Sequence, residues 1–329
     1  MIIIHRLSSS PGEADRFDRH LLPAQEPIPV DTLWIDLVEP TRDEDMKVEA
    51  FVGISIPTRE DMADIEPSEL LYTEDGARYL TARVVHQVDT DPDITGITFI
   101  LKGSCLVSVR YCDPKAFHMF TNRIARPGGC GPTAEAILAG LFETIIDRAA
   151  DVLQAIAQRL DRLSDRVFET RTDPGSRNAE FQDTLRQLGR HGDLVSKIRE
   201  SLVSMERVLL FLSVSYRTAR VQIELREQVR TTLRDLQSLE EHATFQSQKI
   251  QFLLDATLGL VNLEQNNIIK LFSVMAVIFM PPTLVASIYG MNFKLMPELE
   301  WHLGYPMAIG IMIMAGLLPY LFFRWKKWL

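Results

Sequence analysis

Cysteine is scarce in this 329-residue sequence, and the three present, Cys105, Cys112 and Cys130, form no CxxC pair. Neither a zinc ribbon nor a disulfide framework is signalled, and reduced thiols on strands and loops are the expectation. A metal cluster from Cys105, Cys112 and His118 has only loose spacing in its favour. An excess of basic residues is also missing: 35 Lys and Arg against 44 Asp and Glu leave a formal net charge of -9. A nucleic-acid partner would call for a basic stripe, so none is expected. There is no phosphate-binding glycine loop, no HExxH and no GxSxG, so nothing points to an enzyme or to a resident cofactor. Before residue 267 the sequence lacks long apolar runs. Residues 1–10 hold only a short Ile run ended by Arg6, too little for a secretory signal, which predicts a cytoplasmic N-terminus.

Helix breakers are missing over long stretches. No proline occurs between Pro174 and Pro281, and no glycine between Gly192 and Gly259. Nothing local stops a helix from about residue 217 onward, and Leu225, Val229, Leu233, Leu236, Ile250, Leu253 and Val261 supply its buried stripe. At about 1.5 Å per residue such a helix projects on the order of 100 Å, more than one chain can cover, so association with copies of itself is expected. Two helices are predicted ahead of it. One spans residues 133–172 and ends near Asp173-Pro174-Gly175; the other spans 178–214, with a flexible point at Gly189 and Gly192.

The text up to about residue 130 is different. Short β-rich runs at 33–38, 79–87, 96–101 and 106–110 are separated by Asp, Pro and Gly clusters and read as an α/β domain. Acidic stretches at 39–44 and 59–69 read as solvated short helices or turns. Asp61, Asp64, Glu66 and Glu69 are taken as a wet helix face rather than a metal site. The segment RPGGCGP at 126–132 marks the predicted boundary.

Two uncharged runs close the sequence, LFSVMAVIFMPPTLVASIY at 271–289 and YPMAIGIMIMAGLLPYLFF at 305–323. Each is long enough to cross a hydrocarbon core of about 30 Å. Lys270 precedes the first, Arg324, Lys326 and Lys327 follow the second, and the loop between carries only Lys294. By the positive-inside rule both termini face the cytoplasm, and Trp301, Tyr305, Trp325 and Trp328 fall at the interfaces. The outer loop then carries Glu298 and Glu300.

Stepping through the first span at about 3.5 residues gives Asn266, Ile269, Ser273, Ala276, Met280, Thr283 and Ser287, with Gly290 close behind. Most are small or carry hydroxyl or amide groups. Leu271, Val274, Met275, Ile278, Leu284, Val285 and Ile288 occupy the other faces, suited to lipid or to the second span. Small residues permit close helix packing in membranes, so packing and pore lining both stand as readings of the stripe.

The span ends in Tyr289-Gly290-Met291-Asn292-Phe293, followed by Met296-Pro297-Glu298-Leu299. This GMN triplet, the MPEL loop and the basic, aromatic tail resemble the CorA family of magnesium transporters. The likeness extends through FLLDATLGLVNLEQNN at 252–267 and WIDLVEP at 34–40. It implies a funnel-shaped homopentamer with an α+β cytoplasmic domain, a long helical stalk and two C-terminal transmembrane helices. On this sequence the parts are a cytoplasmic α/β domain at 1–130, the stalk region at 131–269, a pore-lining first span at 270–289, an extracytoplasmic loop at 290–304, a second span at 305–323 and a cytoplasmic tail at 324–329. The resemblance also implies that Gly290, Met291 and Asn292 form a selectivity motif, with Asn292 ringing the outer mouth. Asn266, Met280 and Thr283 match pore-facing family positions that fall on the stripe already found, which favours pore lining.

The implied cargo is hydrated magnesium, with cobalt or nickel admitted, carried through the plasma membrane, an inner membrane if the source is bacterial. The implied regulation is closure by cytosolic magnesium, for which Asp235 and Asp255 are the candidate ligands. Two rivals remain: a zinc transporter of the related two-span family, for which His302 can be cited, and a non-conducting scaffold or sensor anchored by the two spans. Neutral amide rings suit an ion that gives up its water reluctantly, and the pore stripe lacks the Cys and His ligands that zinc favours.

Overall fold

A computed structural model describes residues 1–8, 16–23, 25–64, 66–169, 177–218, 223–291, 296–297 and 301–326. The N-terminal part folds as strands β1 (Ile2–Leu7), β2 (Phe17–Leu22) and β3 (Thr32–Val38), helix α1 (Arg42–Val52), a 3-10 turn at Asp61–Ala63 and the short helix α2 (Pro67–Leu70). Strands β4 (Leu71–Glu74), β5 (Ala77–His86), β6 (Asp93–Lys102) and β7 (Cys105–Arg110) follow, then helix α3 (Lys115–Ile124). Three long helices come next, α4 (Ala134–Phe168), α5 (Arg177–Thr218) and α6 (Ile223–Tyr289), and α7 (Gly304–Trp325) is last.

The seven strands form one mixed sheet in the order β2-β1-β3-β7-β6-β5-β4. All neighbours are antiparallel except β3 and β7, which run parallel with Trp34 opposite Leu106. Side chains alternate across a strand, so each strand feeds two cores. Ile35, Leu37, Ile100, Val107 and Val109 join Val48 of α1 on one face; Trp34, Ile97, Phe99 and Leu106 meet Phe117 and Phe120 of α3 and Phe142 of α4 on the other. The four predicted β runs correspond to β3, β5, β6 and β7, while β1, β2 and β4 are additional. α1 begins at Arg42, inside the first acidic stretch, with Glu44 Oε2 accepting a hydrogen bond of 2.9 Å from the N–H of Thr41.

On the α3 and α4 face a polar chain is sealed into the core. Trp34 Nε1 donates to Ser108 Oγ at 2.8 Å, Ser108 Oγ donates to Asp36 Oδ1 at 2.7 Å, and the Arg110 guanidinium clasps Asp36 through Nε at 3.1 Å and Nη2 at 3.0 Å. Arg110 also donates to the Cys112 carbonyl and to Asp113, each at 2.7 Å, and lies over the Phe117 ring. The pair therefore combines charge with hydrogen bonds to most of its polar atoms, which a buried ion pair requires.

α4 starts at a Thr133 cap, whose side chain accepts from the Ala136 N–H at 3.2 Å. The helix is buried nearly all round from Ile137 to Phe142 and then at helical spacing from Val152 to Val167. The predicted stop at 173–175 lies outside the described residues. α5 continues as helix through Gly189 and Gly192, where the sequence suggests a flexible point, so the two glycines do not break it. A Cβ on Gly192 would stand in ordinary contact, 3.7 Å from the Ile250 methyl, whereas one on Gly189 would meet nothing within 4 Å. α6 is a single helix of 67 residues, as the missing breakers predict. The chain divides into two compact units, Met1–Pro174 with Gln182–Leu254, and Gly175–Phe181 with Asp255–Leu329.

Candidate functional site

Among the described residues, α6 and α7 are the two helices long and apolar enough to cross a membrane. Within the second unit they pack along one line of α6. Val274 is 5% exposed, and Ile278, Pro281, Pro282, Val285 and Tyr289 are half-buried. These positions recur every three or four residues, so they form one face of the helix. Asn266, Ile269, Ser273, Ala276, Met280, Thr283 and Ser287 lie on another face and are all exposed, Met280 at 68%. α7 thus takes a neighbouring apolar stripe and leaves the small and polar one bare. Of the residues expected against lipid or the second span, Val274, Ile278 and Val285 go to the packed side, whereas Leu271, Met275, Leu284 and Ile288 stay exposed.

Two prolines sit inside α6 at 281 and 282. Proline has no N–H, so the carbonyls of Val277 and Ile278 receive no bond from the residue four places on. Just beyond, the Thr283 hydroxyl turns back to the Phe279 carbonyl at 2.7 Å, a bond that satisfies the hydroxyl within the helix. Ala276, Met280, Thr283 and Ser287 border a shallow concavity, and Asn266, Ile269 and Ser273 border another that reaches Lys270 and Phe323.

α6 ends where the Gly290 N–H bonds to the Ala286 carbonyl at 2.9 Å and the Met291 N–H to the Ile288 carbonyl at 3.2 Å. Gly290 and Met291 follow directly, and both are exposed. Asn292, Glu298 and Glu300 lie outside the described residues. Trp301 and Tyr305 stand exposed at the start of α7, and Trp325 at its end.

Asp235 belongs to the first unit and is exposed. It lies near an acidic run on α4: burial raises the Asp147 carboxyl above its usual range, with Glu143, Asp151 and Asp235 adding to the effect. Asp255 opens the second unit and is also exposed. No group of three or more His, Cys, Asp or Glu poised to hold a metal ion occurs among the described residues. Cys105 and Cys112 face opposite cores, and burial pushes both thiols up to about 12. The loose Cys105, Cys112, His118 cluster therefore does not converge, and His118 instead pairs with Asp113 at 2.7 Å.

One contributor escaped the sequence reading. Gly316 of α7 is where the second span comes close to Pro282. The rule that small residues mark close helix approach, applied to the second span as it was to the first, would have pointed to it.

Known proteins resemble this chain along nearly all of its length. The family described as CorA-like Mg2+ transporter protein matches residues 30–327. The magnesium transport protein CorA of Salmonella typhimurium is 39% identical over 301 residues, covering 91% of this chain and 93% of that protein. Its namesake in Escherichia coli K12 is 38% identical over 324 residues, covering 98% of this chain and 100% of that one. The complete CorA structure from Methanocaldococcus jannaschii aligns with a TM-score of 0.75, covering 100% of this chain and 99% of that one, at 18% identity, and so speaks to the fold. A match this long to the family, with two relatives near two-fifths identity, places the chain in the CorA-like Mg2+ transporter family.

Proposed function

We propose that this chain is one subunit of a homopentameric channel that carries hydrated magnesium across the plasma membrane, with both termini in the cytoplasm. The observation that carries this reading is the bare stripe on α6. Asn266, Ser273, Ala276, Met280, Thr283 and Ser287 are exposed while α7 occupies a different face. Hydroxyl and amide groups left uncovered in a span suit a shared, water-bearing axis better than contact with lipid tails. The names of the relatives from Salmonella and Escherichia coli support magnesium as cargo, and cobalt and nickel are further cargo in this reading.

Each part follows from the chemistry of the ion. Magnesium holds near-octahedral water tightly, so recognition through the hydration shell avoids the cost of stripping it. Asn292, of the GMN motif, offers an amide for that shell, and the neutral stripe on α6 binds weakly enough to let the ion leave. Glu298 and Glu300 draw cations to the outer mouth. Asp235 and Asp255 bind cytosolic magnesium between subunits and hold the pore closed. The funnel shape, the five-fold ring and the domain borders at 130, 269, 289, 304 and 323 belong to the same reading.

The test is magnesium flux into proteoliposomes containing the full chain. Asn292→Ala should abolish uptake with assembly intact, and cobalt hexaammine should compete with wild-type flux. Zinc flux exceeding magnesium flux would favour the zinc transporter, and no flux of either ion from well-assembled wild type would favour the scaffold. Inhibition by internal magnesium that persists in Asp235→Ala and Asp255→Ala would remove those two residues from regulation.

A further inference from the structure

The first unit contains a cavity that the ion path does not use. About 190 Å3 in volume, it lies where the end of β5 and the segment after it meet the start of α3, the middle of α4 and α5. Its wall is apolar: Val84, Ala116, Ile145, Val152 and Ile198 line it, all at least nine-tenths buried. An engineered apolar cavity of about 150 Å3 takes up benzene, so the space suits a ring-sized apolar body.

The polar groups at its edge are not balanced. Lys115 and Asp89 pair with each other there. The Lys115 hydrogen bond and charge hold the Asp89 carboxyl below its usual range, with Arg148 and Arg159 adding to the pull. Arg148 also lines the cavity and is half-buried, yet it forms no hydrogen bond or ion pair among the described residues. His86, the other titratable group on the wall, is engaged with Thr95 at 3.0 Å and lies 3.8 Å from Asp93. Asp89 is already committed to Lys115, so Arg148 remains as a positive fork beside an apolar chamber.

We infer that this cavity is a binding site for a small amphipathic carboxylate, its apolar body in the chamber and its carboxylate on the Arg148 guanidinium. An arginine fork matches a carboxylate in a planar, two-bond geometry, and leaving it half-buried without an anion forgoes that interaction. A cation is disfavoured by the surplus of positive charge, and a neutral apolar molecule leaves Arg148 unused. A pocket of mostly apolar wall with a few converging polar groups has the build of a small-molecule site. The site is independent of the ion path, so it stands or falls apart from the transport reading.

The test uses the purified full-length protein in detergent, with benzoate as probe and benzyl alcohol as its uncharged counterpart, read by saturation-transfer difference NMR. Wild type should bind benzoate saturably and more tightly than benzyl alcohol. Arg148→Gln should weaken benzoate by about tenfold and leave benzyl alcohol unchanged. Ala149→Phe, which fills the chamber from α4, should remove both signals. Arg148→Gln keeps a polar side chain at a half-exposed position, so it remains informative if the larger substitution fails to fold. Absence of saturable benzoate binding to wild type, or equal benzoate affinity in Arg148→Gln, overturns the assignment. Unchanged binding in folded Ala149→Phe overturns it as well, placing the probe elsewhere on the protein or in the micelle.

Discussion

Gly316 of α7 lies against Pro282 of α6, so close that a Cβ on Gly316 would stand 3.3 Å from Pro282 Cγ and 3.6 Å from the Ile278 carbonyl oxygen. That carbonyl is one of the two released by the proline pair, so Gly316 lets α7 come near α6 where the backbone bonding of α6 is interrupted.

The fit at Gly316 leaves room for a methyl after a shift of a few tenths of an ångström, but not for a branched chain. Gly316→Ala should assemble nearly as wild type. Gly316→Leu should cost about 1–3 kcal/mol of packing and lower both the thermal midpoint and the yield of assembled protein in detergent. Size-exclusion profiles of the two variants are the measurement. A Leu variant that elutes and melts like wild type would show that this contact does not hold the two spans together.

His5 stacks on Trp34 with ring centroids 4.2 Å apart, and both of its nitrogens are buried without a hydrogen-bond partner among the described residues. Burial, with Arg19 and His20 adding, lowers its pKa from 6.5 to about 3. The folded state therefore resists protonation that the unfolded chain accepts. Stability from this group is fully present above pH 6.5 and drains away as pH falls toward 3, by about 2 kcal/mol at pH 5. His5→Phe keeps the stacked ring and cannot take up a proton, so it should flatten the loss of stability of the sheet domain between pH 7 and pH 5. Parallel pH profiles for wild type and variant would disprove the role assigned to His5.

Asp36 and Arg110 should behave as a unit. Asp36→Ala strands a buried guanidinium and should destabilise the sheet domain by about 3–5 kcal/mol, whereas the double replacement Asp36→Leu with Arg110→Met should recover most of that loss. Urea titrations of the single and double variants supply the comparison. If the double variant is as unstable as the single one, the pair's value lies in its hydrogen bonds to Ser108 and Cys112 rather than in charge balance.

Much of this was legible in the sequence where the signal is local. α6 was readable because no proline or glycine falls between its start at Ile223 and Gly259, and its proline pair falls in the uncharged stretch, where neighbouring helices tolerate such interruptions. The stripe from Asn266 to Ser287 was readable because residues seven apart share a helix face whatever surrounds them. β1 and β2 were not. Phe17–Leu22 reads FDRHLL, with three polar residues in its middle, and becomes a strand because Ile2–Leu7 pairs with it register by register, a long-range contact that no window reveals. The face chosen by α7 was equally hidden, since Val274 and Leu271 look alike until Gly316 settles which side can come close. Asn292, Glu298 and Glu300 were singled out by the motif, and they fall outside the described residues.

The burial of Trp34 has an optical consequence. The sequence contains four tryptophans, and among the described ones Trp34 is sealed at 0% exposure whereas Trp301 and Trp325 are 53% and 75% exposed. Trp34 therefore emits from a dry, rigid setting that dissolved quenchers cannot reach, and the tryptophans flanking α7 emit from the helix ends. Replacing those at 301, 325 and 328 by phenylalanine would leave a single intrinsic chromophore in the sheet. Folding of the first unit could then be followed by light alone in the full-length protein.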